Sequence, residues 1–331
     1  MILFVLIIIL LNLLLLIRPC SFEPFTKDRV TPLRGILAII IVLHHIYLTM
    51  GYSVLSQFKS LGAISVALFL FFSGYGLNKS YLKKGQSYLR GFLKHRILDS
   101  IVLPCSIAIV LQVIILMACG STFTIETILE NNGERWFVLA ILYLYVLFYI
   151  SARLQNARYM MIYILFGLAL YVCLTYTLQL GRCWYISVWA FGVGVLYSKY
   201  EAEILNALNR FRWFKKAVVP LLLSAIALAY VLGAKSATFI AVCYSLVYAL
   251  ISLLVVILCS GIRVSLLNKS RIISFLSSIS YELYLCHGVI LLLMLNVVVP
   301  SSVKVLAVLS LSVIYAVCVK YLSDLVRKKL L

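Results

Sequence analysis

The stretch LRGILAIIIVLHHIYL, residues 33–48, carries a cation at one end of an apolar run and two imidazoles within it. Read as a helix, it sets Arg34 and His45 about 20° apart around the axis, with about 16 Å of rise between them. The two therefore share one face, and His44 points about 80° away from Arg34. A guanidinium at the mouth and an imidazole deeper on the same stripe suit two stations of one cavity. The first would bind an anion. The second would exchange a proton, because imidazole titrates near neutrality and burial favours its neutral form.

A second group lies in SISYELYLCHG, residues 278–288. Ser280 and His287 are seven positions apart and fall within about 20° of each other on a helix; Tyr284 and His287, three apart, are also neighbours. Glu282 points elsewhere, and inside a membrane it needs a partner, expected to be a membrane histidine or an arginine. The alternative for these groups is structural: Ser, Tyr and His joining helices by hydrogen bonds, and Arg34 extending to the membrane interface. A third stretch, GAISVALFLFFSGYGL (62–77), offers small residues at Gly62, Ser65, Ser73, Gly74 and Gly76 that permit close helix approach.

The elements that must hold these residues are apolar. Of 331 residues, 64% are hydrophobic and 12% charged, far from the balance of a soluble domain. Apolar runs at roughly 2–17, 35–54, 61–78, 97–118, 136–151, 159–179, 183–198, 217–233, 237–260, 272–298 and 303–323 predict an all-α, polytopic transmembrane bundle of about eleven helices. The first 17 residues lack a basic start and a cleavage motif, so they read as a retained helix. Residues 1–28 are then an N-terminal transmembrane helix with a short linker, and 29–331 the main domain. The nine cysteines are scattered without a C-x-x-C pair, so neither a metal site nor a disulfide framework is expected.

With the N-terminus outside, one set of loops (18–34, 79–96, 152–158, 199–216, 261–271 and 320–331) holds 24 of the 29 basic residues. Such an excess marks the cytoplasmic side, and the expectation is a multi-pass plasma (inner) membrane protein with a cytoplasmic C-terminus. The net charge of +19 then needs no nucleic acid: the basic loops face an anionic leaflet. The segment KSYLKKGQSYLRGFLKHR (79–96) is also dense enough to meet an anionic ligand, and KYEAEILNALNRFRWFKK (199–216) reads as amphipathic and interfacial. The largest outer loop, 119–135, is acidic, with Glu126, Glu130 and Glu134.

Several motifs taken in order resemble the integral-membrane acyltransferase 3 family. Arg34 and His45 match its Arg-x10-His signature. FFSGY (71–75), the proline-closed basic stretch FLKHRILDSIVLP (92–104), WFVLAILYLY, WYISVWAFGVGVLY and the SY-x-x-YL-x-H pattern of Ser280, Tyr281, Tyr284, Leu285 and His287 follow. The likeness covers residues 29–325. The family often has Arg-x-x-Arg in the basic stretch, whereas Arg96 is followed here by Asp99. A ten-helix core would leave residues 1–17 as an added leading helix.

The resemblance implies transfer of an acyl group, commonly acetyl, from acyl-coenzyme A on the cytoplasmic side to a hydroxyl of a carbohydrate or glycolipid acceptor, such as a surface or exported polysaccharide precursor. No tightly bound cofactor is implied; acetyl-coenzyme A is a substrate. His45 and Arg34 would be catalytic, with Arg34, Lys94 and Arg96 holding the donor. Glu282, Ser280, Tyr284 and His287 would serve the substrate or support the site. His45 would act either as general base or as the acceptor of the acyl group itself. The competing reading is a transporter or flippase with a His/Glu proton relay.

Overall fold

The computed structural model describes residues 21–120, 124, 136–154, 156–210, 239–261 and 270–330. These residues form ten α-helices: α1 Lys27–Met50, α2 Leu61–Lys84, α3 Leu103–Ala118, α4 Trp136–Ala152, α5 Ala157–Thr177, α6 Trp189–Arg210, α7 Phe239–Gly261, α8 Arg271–Ser278, α9 Ser280–Met294 and α10 Ser301–Leu330. A π-helical stretch, Leu93–Val102, leads directly into α3. Five helical stretches among the described residues are long and apolar enough to cross a membrane, or six if the bent pair α8–α9 counts as one span. Exposed aliphatic and aromatic side chains such as Ile114, Met117, Phe166 and Leu306 are what lipid-facing helix surfaces require. The chain is an all-helical, multi-pass membrane protein.

Two of the eleven expected helices, 2–17 and 217–233, lie outside the described residues, as do Glu126, Glu130 and Glu134. The expected run 272–298 is split: α8 and α9 meet at a 76° bend. Residues 79–84 belong to the last turns of α2, not to a loop, and residues 199–210 continue α6.

The chain divides into two compact units. One draws on Met1–Thr31, Ala63–Arg90 and Val146–Ser270, the other on Pro32–Gly62, Gly91–Tyr145 and Arg271–Leu331. In the first unit, α6 packs against α7 and α5. It approaches α2 at paired glycines: a Cβ on Gly74 would strike the Phe191 carbonyl, and one on Gly194 the Phe71 carbonyl. Gly76, by contrast, faces open space, so only part of the small-residue pattern in 62–77 serves close approach.

The same unit is tied together by a buried carboxylate. Glu201 of α6 accepts hydrogen bonds from the backbone N–H of Phe25 (2.8 Å) and from the Tyr75 hydroxyl (2.9 and 3.0 Å), and pairs with Lys79 at 2.6 Å. Tyr75 and Lys79 are four apart on α2 and so present their polar ends side by side. Phe25 lies in the irregular segment before α1 and stacks on Phe72, so Glu201 fixes where the chain enters that helix. Arg29 adds to this anchor, donating to the carbonyls of Cys259 and Ser260 at the end of α7. Those carbonyls lack intrahelical donors.

In the second unit, α9 packs on α10 and both pack on α3. Hydroxyls stitch the helices through backbone carbonyls: Tyr315 donates to Ala108 (2.6 Å) and Tyr281 to Ile101 (3.1 Å). Lys304, at the start of α10, donates to the Leu295 carbonyl just past α9. That gives Lys304 a capping role.

Candidate functional site

The α1 stripe begins where a glycine lets two backbones meet. A Cβ on Gly35 would lie 2.5 Å from the Ile273 carbonyl, so α8 runs against α1 beside Arg34. Immediately after α8 the chain bends at Ile279 (φ −110°, ψ 12°), and α9 starts with Ser280. The Arg34 guanidinium donates to the Ser280 hydroxyl at 3.1 Å. The bend thus delivers a serine to an arginine 246 positions away in the chain.

Deeper on the stripe, the His45 ring sits edge-to-face between two other imidazoles. Its centroid is 5.1 Å from that of His44 and 4.9 Å from that of His287. Both flanking rings are pinned: His44 Nδ1 lies 3.0 Å from the Phe58 carbonyl, and His287 Nδ1 lies 3.1 Å from the Leu283 carbonyl. A carbonyl only accepts, so each Nδ1 carries a proton, and a neutral ring then has an unprotonated Nε2. His44 also packs where a side chain at Gly62 would otherwise stand, which accounts for that glycine. His287 is fully buried, whereas Arg34 and His45 are partly accessible. Tyr284 lies beside His287 (5.8 Å between ring centroids) and against Phe137 of α4 (4.9 Å).

Glu282 gains a partner that its own helix does not reveal. It is buried; its ion-pair partner is Lys320 of α10, at 3.7 Å, and Arg34 and Arg327 also lie close enough to act on it electrostatically. Lys320 belongs to the basic C-terminal segment, and helix periodicity within 278–288 carries no information about a residue on another helix. Lys320 also approaches Asp324 (3.9 Å), which pairs with Arg327 at 2.8 Å. Arg327 in turn donates to the backbone carbonyl of Asp99. Lys94 and Arg96 stand exposed on the same π-helical stretch as Asp99, linked to Glu282 through this chain of charges. The Asp99 carboxylate, at the position where the resemblance sets an arginine, faces His95 at 3.1 Å.

Six of the eight predicted residues therefore fall into three arrangements, Arg34 with Ser280, His45 with His287 and Tyr284, and Glu282 with Lys320, while Lys94 and Arg96 stand exposed on the π-helical stretch. Lys320, Asp324 and Arg327 escaped sequence reading; their i, i+4 and i, i+3 spacing was the available signal. Chemically, the geometry offers a largely buried guanidinium that suits an anion and a partly accessible imidazole held by two neighbours that suits proton or acyl transfer.

The family model for acyltransferase 3, described as an acyltransferase domain, matches residues 30–323. No curated protein and no solved structure gave a match. The match spans both the Arg34–Ser280 pair and the three imidazoles, and the chain belongs to the acyltransferase 3 family, as a membrane acyltransferase.

Proposed function

We propose that this acyltransferase moves an acyl group, acetyl in the simplest case, from acyl-coenzyme A at the cytoplasmic face to a carbohydrate hydroxyl. The observation that carries the reading is the placement of His45, partly accessible and gripped between His44 and His287, on the same face of α1 as Arg34, which is held by Ser280. Coenzyme A is anionic, and guanidinium groups match phosphate geometry; Arg34, Lys94 and Arg96 are its proposed contacts. His45 takes the proton of the acceptor hydroxyl as its oxygen attacks the thioester carbonyl. The carbon–sulfur bond then breaks, and the thiolate leaves and is protonated. In the two-step variant an unprotonated ring nitrogen of His45 attacks the thioester first, and the acyl-imidazole passes its acyl group to the hydroxyl. Ser280, Tyr284, His287 and Glu282 hold these groups in place.

The 24-to-5 division of basic residues between the two sets of loops supports a cytoplasmic donor side and a plasma-membrane setting. Membership of an acyltransferase family weighs against the transporter reading. The test is to supply radiolabelled acetyl-coenzyme A to membranes from cells making the wild-type protein or His45→Ala, and to fractionate the products. Label released from the carbohydrate fraction by mild alkali, and absent with His45→Ala, is expected, because esters are alkali-labile and amides are not. Label confined to lipid or protein amides would overturn the carbohydrate acceptor.

A further inference from the structure

The stretch Leu93–Val102 is π-helical: the N–H of His95 still reaches back four residues to the Gly91 carbonyl, but at its end the N–H of Leu103 reaches back five, to the Leu98 carbonyl. The next donor in that register belongs to residue 104, a proline with no N–H. The Asp99 carbonyl loses its helical donor, since Leu103 is already engaged. Arg327, near the end of α10, supplies what Pro104 lacks: its Nε lies 3.1 Å and its Nη2 2.6 Å from the Asp99 oxygen, while Nη1 holds Asp324 at 2.8 Å. The guanidinium is thus engaged on two sides, at the hinge between the basic π-helical stretch and α3. Its other connection runs through Asp324 and Lys320 to Glu282, two residues beyond the Ser280 that holds Arg34.

We propose that Arg327 is a positioning residue for the acyl donor: by standing in for the missing N–H of Pro104, it holds the helical stretch bearing Lys94 and Arg96 at a set height along α10. The inference rests on the reading of Lys94 and Arg96 as donor contacts. An arginine serving only as a surface charge would not need both Nε and Nη2 on one backbone oxygen. A lysine, with a single point of attachment, cannot reproduce the geometry.

The test uses the full chain in nanodiscs, with coenzyme A as the probe. Hydrogen–deuterium exchange across residues 93–103 and coenzyme A affinity by calorimetry are measured for wild type, Arg327→Gln, Arg327→Lys, Arg96→Gln, Pro104→Ala and the Pro104→Ala/Arg327→Gln double variant. Arg327→Gln is expected to raise exchange and weaken coenzyme A binding, each by about tenfold, the scale of a charge-assisted hydrogen bond. Arg327→Lys should recover neither fully, and Pro104→Ala alone should resemble wild type. Returning an N–H at position 104 in the double variant should recover most of both losses, which a general loss of stability would not do. Unchanged exchange in Arg327→Gln overturns the clamp. Raised exchange with unchanged affinity overturns the positioning role, as does a double variant no better than Arg327→Gln. If wild type binds coenzyme A but Arg96→Gln does so equally well, the donor contact assigned to Arg96 fails independently of the exchange result. If wild type binds none, the donor reading fails and the positioning role with it, while exchange still judges the clamp.

Discussion

His44 and His45 are adjacent in sequence but stand in different surroundings. His44 is fastened to the Phe58 carbonyl and packed over Gly62, while His45, partly accessible like His44, stands between two other rings. His45→Ala is expected to lower turnover by about a hundredfold or more, the usual scale for losing a general base. His44→Ala should instead cost about 1 kcal/mol of stability with a far smaller effect on turnover. Thermal midpoints and acyl-transfer rates measured side by side check this, and the reverse ranking would mean that the other imidazole does the chemistry. In the first unit, Glu201→Ala would strip Lys79, Tyr75 and the Phe25 N–H of their common acceptor. A loss of about 3 kcal/mol is expected from breaking a buried pair, read as a lowered unfolding midpoint in detergent. The Arg34–His45 stripe was legible from helical periodicity alone. The Glu201 hub was not, because residues 199–216 read as an amphipathic surface, and a sequence does not reveal that Phe25, Tyr75 and Lys79 converge on one position.

At the level of the elements, glycine sets how closely helices meet. Gly35→Ala should push α8 away from α1 and weaken the Arg34–Ser280 contact, raising the KM for the acyl donor more than it lowers kcat. Gly194→Ala should destabilise by about 1–3 kcal/mol through overpacking against α2, whereas Gly76→Ala, with open space around it, should be neutral or slightly stabilising. Comparing unfolding midpoints of the two variants separates these cases; equal effects would contradict the assigned contacts. Within the described residues the apolar runs correspond to helices, because a run long enough to span a membrane has few other options. The bend between α8 and α9 was hidden: residues 278–280 are Ser, Ile and Ser, with neither proline nor glycine to mark it. The run 97–118 does continue as helix across Pro104, where Arg327 meets the carbonyl that the proline leaves without a donor.

At the scale of the molecule, α10 is the longest helix among the described residues, 30 residues or about 45 Å, enough to carry its two ends to opposite faces of a bilayer. The Asp99–Arg327 contact sets the basic stretch and the C-terminal end of α10 at one height, an arrangement the proposed charge-based topology requires. In a cysteine-free background, Val298→Cys should react with an impermeant maleimide on intact cells. Lys84→Cys and Lys328→Cys should react only after permeabilisation; labelling of all three in intact cells would contradict the orientation. The most direct test of the chemistry is thiol release from acetyl-coenzyme A by purified wild-type protein and His45→Ala in nanodiscs. Release by wild type and its loss in a His45→Ala protein with an unchanged unfolding midpoint is the expected result; release at the wild-type rate from His45→Ala would contradict it.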